Sequence, residues 1–168
     1  MSAKDIRRAL VTFIPEQANP GRGNVYQIDG RPVVVDYGHN PAAMAAMGRL
    51  LHEAWGGSPV AAVTLPGDRR DDLVTETAAT IADWFGRVVV YEDSDLRGRR
   101  PGEMTALITA ALTARRPGIT IETASGPSGA LHAALALASG PGAVLLLHET
   151  LAAARAALAA LNAAPWRC

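Results

Sequence analysis

Residues 33–41 read Val33-Val34-Val35-Asp36-Tyr37-Gly38-His39-Asn40-Pro41, and they set the architecture. The continuous apolar run suits a strand buried on both faces. Asp36 ends that run with a carboxylate. Gly38 to Asn40 make a turn, and Pro41 is placed to open a helix running to Trp55. A buried strand followed by a short polar turn and a helix is the opening of a βαβ unit, which belongs to a parallel sheet.

The neighbouring sequence extends this pattern in both directions. Asn24 to Ile28 is a second β-rich run, joined to Pro32–Asp36 through Asp29-Gly30, a hairpin signal. Ahead of it, Asn19-Pro20-Gly21-Arg22-Gly23 breaks the chain, and Ala3 to Leu10 reads as a short helix. Downstream, strands at Val60–Leu65, Arg87–Tyr91, Ile119–Thr123 and Ala143–Leu147 alternate with helices. Those helices are expected at Asp71–Phe85, Pro101–Arg115, Pro127–Ala138 and Glu149–Leu161. The fold class is therefore α/β, Rossmann-like, in three α/β/α layers. Its sheet should hold about six mostly parallel strands, with the hairpin's first strand antiparallel at the edge.

Composition agrees with one domain and narrows the chemistry. The chain has 168 residues, 49% hydrophobic and 19% charged, enough for a real core. Lys+Arg and Asp+Glu are 16 each, so the basic excess of a phosphate-tracking nucleic-acid binder is missing. Cys168 is the one cysteine, which excludes an internal disulfide and a multi-cysteine metal site. The longest apolar run, Ala143 to Leu147, is too short to span a bilayer. With no signal-peptide pattern, a cytoplasmic setting is expected. Lys4 is the only lysine among the 16 basic residues and Asp5 follows it, so the sequence contains no Walker A motif.

In such a sheet ligands bind at the carboxyl ends of the strands. Three polar segments fall there: Asp36 to Pro41, Pro66-Gly67-Asp68-Arg69-Arg70-Asp71, and Glu92-Asp93-Ser94-Asp95-Leu96-Arg97-Gly98-Arg99-Arg100. Asp36 is placed to accept bonds from ribose hydroxyls, and His39 and Asn40 to meet a base or phosphate at the helix N-terminus. The alternative is plain capping by Asp36 and Asn40, with His39 a surface turn residue. Arg22, flanked by glycines, offers a planar fork for phosphate, or is a solvated loop arginine. The loop from Glu92 to Arg100 mixes acids and bases and can receive a zwitterion such as an amino acid, or can neutralise itself in solvent. Gly126-Pro127-Ser128-Gly129 is a weak phosphate-loop signal, explained by Ser125 capping a helix. His52, His132 and His148 lack metal-ligand spacing and read as structural, and the three tryptophans read as core or cover.

These segments together resemble one family. Asp36-Tyr37-Gly38-His39-Asn40-Pro41 is similar to the D-x-A/G-H-N/T-P signature that opens the C-terminal domain of Mur ligases and folylpolyglutamate synthetases. Asn19-Pro20-Gly21-Arg22 resembles the P-G-R turn before it. The two charged loops, with Gly102-Glu103, look most like the Mur-ligase-like region of cyanophycin synthetase. The resemblance runs from about residue 5 to 160.

It implies residues 19–168 as a Mur ligase C-terminal domain and residues 1–18 as the tail of a linker from a preceding central domain. It implies an ATP-dependent acid–amino-acid ligase, in which ATP phosphorylates a carboxylate and an amine attacks the acyl phosphate. Arg22 would touch the terminal phosphate of ATP or ADP, Asp36 the ribose, and His39 and Asn40 the rest of the nucleotide. Arg97 falls where the amino-acid-recognising arginine of the Mur D-N-P-R motif is expected, in a loop longer and more charged than the family's. Asp68, Arg69, Arg70, Asp95 and Arg99 join it as substrate contacts, and the amino acid is arginine if the cyanophycin likeness carries over. No catalytic residue and no metal ligand is expected in this chain, because the P-loop and most of the Mg²⁺ contacts belong to the family's central domain. That domain, in the same or a separate chain, is the implied partner, alongside the amino acid; no nucleic acid and no membrane is expected. The Ala-lined face where the lobe would dock is a candidate for self-association. A stand-alone nucleotide-binding or regulatory module of the same fold is the other reading.

Overall fold

The structure, a computed structural model, describes Ser2, Asp5 and residues 14–166. The helix expected at 3–10 lies, apart from Asp5, outside the described residues. A one-turn helix, α1 (Pro15–Ala18), leads into β1 (Asn24–Ile28) and β2 (Arg31–Asp36). Asp29 and Gly30 both take positive φ, 49° and 77°, as a two-residue hairpin turn of this hand requires. Then follow α2 (Pro41–Trp55), β3 (Val60–Val63), α3 (Asp71–Trp84), β4 (Arg87–Glu92) and α4 (Glu103–Arg115). The chain ends with β5 (Thr120–Ser125), α5 (Gly126–Leu137), β6 (Val144–Leu147), α6 (Leu151–Ala160) and β7 (Ala164–Pro165).

Among the described residues the sheet has seven strands, in the order β5-β4-β3-β6-β2-β1-β7. β5, β4, β3, β6 and β2 run parallel, and β1 pairs antiparallel with β2 as its hairpin demands. The two-residue β7 adds a further antiparallel strand outside β1, through Tyr26↔Pro165 and Gln27↔Ala164. β6 lies between β2 and β3 rather than at an edge. Every residue of β6 and β3 is buried, which explains their unbroken apolar sequences.

Alternate strand residues feed two cores. Val34, Ala61, Val63, Val88 and Leu145 pack with α2, α3 and α4. Val33, Val35, Ala62, Val89 and Leu146 pack with α5 and α6 on the other face. The chain changes face when β5 is followed by a strand in the opposite direction across the sheet, because crossovers keep one hand. The carboxyl end of β6 is therefore the topological switch point, flanked by β2 and β3, whose crossover helix lies on the other face.

Local signals place α2. Asn40 accepts the Ala43 N–H at 2.9 Å, Pro41 opens the helix, and Gly56 at φ +60° ends it with its N–H on the His52 carbonyl. α2 meets α3 closely at Gly48, where a β-carbon would lie 2.3 Å from Trp84 Cγ. Gly48→Ala is expected to destabilise by about 1 kcal/mol, because overpacking outweighs the gain in helix propensity. Urea denaturation would show it, and a stabilised variant would contradict the packing.

Candidate functional site

Asp36 closes β2 with its carboxylate almost buried, at 8% exposure. Its Oδ2 accepts the Gly23 N–H at 2.8 Å and its Oδ1 accepts the Gly38 N–H at 2.5 Å. One side chain thus ties the Gly21–Gly23 turn to the turn that carries His39. Gly38 has to be glycine here, since a β-carbon would stand 2.6 Å from Asp36 Oδ1. The Gly21 turn has a second anchor in His148, just past β6. Its Nε2–H donates to the Gly21 carbonyl at 3.1 Å, and its own N–H donates to the Asp36 carbonyl. Gly21, at φ +75°, leaves room for that ring. Burial holds the His148 imidazole below its ordinary pKa, which favours the neutral ring. Its Nδ1 is buried without a partner among the described residues.

Arg22 projects from this pinned turn and lays its guanidinium over the Tyr37 ring, 4.5 Å from the centroid. Tyr37 in turn meets His39 edge-on at 4.9 Å and His148 at 5.8 Å. His39 Nδ1–H donates to the Tyr37 carbonyl at 2.9 Å, and burial, with Arg69 nearby, lowers its pKa. Tyr37, His39, Pro66, Asp68, Arg69, Arg70, Leu73 and Arg97 line one open cleft of about 420 Å³. Neither Arg22 nor Arg69 pairs with an acid among the described residues. Asn40, by contrast, faces its own helix as a cap.

The far wall comes from the loops after β3 and β4. Arg99 staples them together. It donates to the Gly67 and Arg69 carbonyls, to Asp71 and to Glu103 at 2.6–2.9 Å, and so is engaged within the fold. Gly67 permits the contact, because a β-carbon would reach 2.2 Å from the Leu96 carbonyl oxygen. Arg70 is exposed and pairs with its neighbour Asp72. Asp95 accepts the Arg97 N–H at 3.0 Å and fixes Arg97 at φ +47°. The Arg97 guanidinium lies between two acids. Nη1 is 3.2 Å from Asp68 Oδ1, and Nη2 stands 2.8 Å from Glu149 Oε2, an ion pair without the alignment of a hydrogen bond.

Glu149 is the residue that sequence reasoning missed. It was expected in the last helix, but α6 begins at Leu151 and Glu149 occupies the turn at the switch point. Its side chain is only 6% exposed. Burial pushes its pKa up to about 6; Arg97 opposes the rise, and Asp93 and Asp68 add to it. Asp93, also buried, lines a narrow pocket with Glu149, Thr64 and Asp95. Ser125 stands at the N-cap of α5, but its hydroxyl makes no cap bond. Among the described residues, no group of three His, Cys, Asp or Glu is placed to hold a metal ion, and no helix is long and apolar enough to cross a membrane.

A mostly parallel sheet flanked by helices on both faces, with a pinned arginine turn and a charged cleft at its switch point, defines a doubly wound α/β domain. The chain belongs to the Mur ligase family: the family described as "Mur ligase, glutamate ligase domain" matches residues 21–148. Cyanophycin synthetase of Trichormus variabilis is 34% identical over 155 residues, 92% of this chain and 17% of the relative. That of Synechocystis sp. is 35% identical over 150 residues, 89% of this chain and 17% of the relative. The chain thus spans about a sixth of these relatives' length. Among solved structures, Mycobacterium tuberculosis folylpolyglutamate synthase complexed with ADP and AMPPCP superimposes with a TM-score of 0.72 at 19% identity. That match covers 99% of this chain and 36% of that one. UDP-N-acetylmuramoyl-L-alanyl-D-glutamate–2,6-diaminopimelate ligase gives 0.64 at 22% identity, covering 95% and 36%. These likenesses fix the fold.

Proposed function

We propose that this chain is the C-terminal lobe of an ATP-dependent acid–amino-acid ligase. It closes over the nucleotide and presents the incoming amino acid, and it works beside a P-loop domain in the cytoplasm. The observation that carries the reading is the meeting of two chemistries at one end of the sheet, with Arg69 and Arg97 in one cleft, Arg22 on the Tyr37 ring at its edge, and Glu149 in the narrow pocket behind Arg97. Arg22 and Arg69 offer an anion site beside the Tyr37 ring. Arg97 and Glu149 offer a cation and an anion 2.8 Å apart. The first set suits a polyphosphate, with Asp36 holding the arginine turn in place. The second suits a zwitterion's carboxylate on Arg97, with the buried Glu149 and Asp93 behind it adding negative potential that favours the ammonium. The ammonium must lose a proton before it attacks the acyl phosphate. The sequence's likeness to cyanophycin synthetase favours arginine as the amino acid.

The lobe alone provides few phosphate contacts, each about 1–3 kcal/mol against about 4 kcal/mol or more lost on association. Its affinity for ATP is therefore expected near millimolar. A titration with ATP and Mg²⁺ followed by NMR should shift signals of Arg22, Tyr37 and His39, and Arg22→Ala should abolish the response. The pure chain should not hydrolyse ATP. Turnover by the pure chain, or no shift at 10-fold above about a millimolar, would overturn the reading.

A further inference from the structure

We propose that Asp68 is a placeholder: it holds the outer edge of the Arg97 fork until a ligand carboxylate takes its place, while Glu149 keeps the inner edge. This rests on the reading of Arg97 as the anchor for an amino acid's carboxylate. The two acids on Arg97 differ in every respect that governs exchange. The Asp68 side chain is 60% exposed and Glu149 is 6% exposed. Arg97 Nη1 reaches Asp68 at 3.2 and 3.4 Å, split over both oxygens, whereas Nη2 is 2.8 Å from Glu149. Asp68 has no other side-chain hydrogen bond among the described residues, so its carboxylate can rotate into solvent.

The surrounding backbone stays fixed during such a rotation. Arg99 clamps the carbonyls on both sides of Asp68, at Gly67 and Arg69. Asp95 and Glu149 hold Arg97 at its backbone and at its inner nitrogen. Exchange then swaps one carboxylate for another on an unmoved guanidinium. An exposed pair of this kind is weak, and the chain's own carboxylate competes with the ligand only to that extent. Removing it should tighten carboxylate binding about 2–5-fold.

The test titrates the full chain with sodium acetate against sodium chloride at equal ionic strength, following the Arg97 side-chain N–H by NMR. Asp68→Asn and Asp68→Ala should each tighten acetate binding about 2–5-fold. Asp72→Asn, which removes a nearby charge bonded to Arg70 instead, should leave it unchanged. Arg97→Ala, followed instead on the backbone amides of Asp68 and Gly98, should give no saturable acetate response. Unchanged or weaker binding in the Asp68 variants, or equal tightening in Asp72→Asn, would overturn the placeholder and leave Arg97 as a carboxylate anchor. No acetate response at Arg97 in any variant would overturn the anchor as well. The nucleotide half of the proposed function is read on the separate signals of Arg22 and His39.

Discussion

Asp36→Ala is expected to destabilise the chain by about 2–4 kcal/mol, because it leaves two backbone N–H groups without their acceptor in a nearly closed site. At this chain length that corresponds to a fall in Tm of roughly 10 °C. The groups are those of Gly23 and Gly38, on the two turns that frame Arg22 and His39. The Gly21 turn would retain only His148 and the Asn24 side chain, which accepts the Gly21 N–H at 2.6 Å. Asp36→Asn should be milder, since one carbonyl oxygen still faces one of the two N–H groups. Thermal and urea unfolding check this, and a loss below about 0.5 kcal/mol would show that the carboxylate does not hold the turns. The result bears on function. Loss of nucleotide binding in an Asp36 variant follows from a collapsed turn as readily as from a lost ribose contact. Arg22→Ala is the sharper probe, because Arg22 is exposed and, among the described residues, its guanidinium rests on the Tyr37 ring.

What the sequence made legible was local. Val33 to Pro41 announces strand, turn and helix through neighbours within four residues, and the structure follows it to the boundaries of α2. The strand order is a long-range property. Nothing in Ala143 to Leu147 says that β6 lies between β2 and β3, so nothing marked His148 and Glu149 as neighbours of Asp36 and Arg97. A signal was available: a polar pair directly after a buried apolar run, the same pattern that singled out Asp36. Arg97 and Arg99 show the other limit. Two residues apart in one basic loop, they read alike. A left-handed turn at Arg97 and Gly98, φ +47° and +89°, sends one into the cleft and the other into the staple beneath it. β7 escaped because two residues, one a proline, carry no strand period.

Glu149→Gln is expected to make the chain more stable at pH 7.5, by about 1–2 kcal/mol. A carboxyl at about 6 in the folded state, against an ordinary 4.5, favours its protonated form on folding. Stability is then greatest where Glu149 is neutral, below about pH 4.5. It declines as pH rises toward about 6 and is flat above, where the buried charge is fully present. Glutamine mimics the neutral form at every pH. The gap between variant and wild type should therefore open between pH 4.5 and 6 and close in acid. The groups facing Glu149 are Arg97, Asp93, Asp68 and Arg69, and all are common to both proteins. Urea unfolding at pH 4.5, 6 and 7.5 reads the gap directly, and a constant or reversed gap would refute a raised Glu149. The same substitution removes the charge on the inner edge of Arg97, the edge that Asp68 cannot replace. A carboxylate buried beside Arg97 at a net cost in stability is the arrangement expected of the amino-acid site proposed above. Greater stability in the glutamine variant together with a loosened Arg97 would separate those two demands in a single residue.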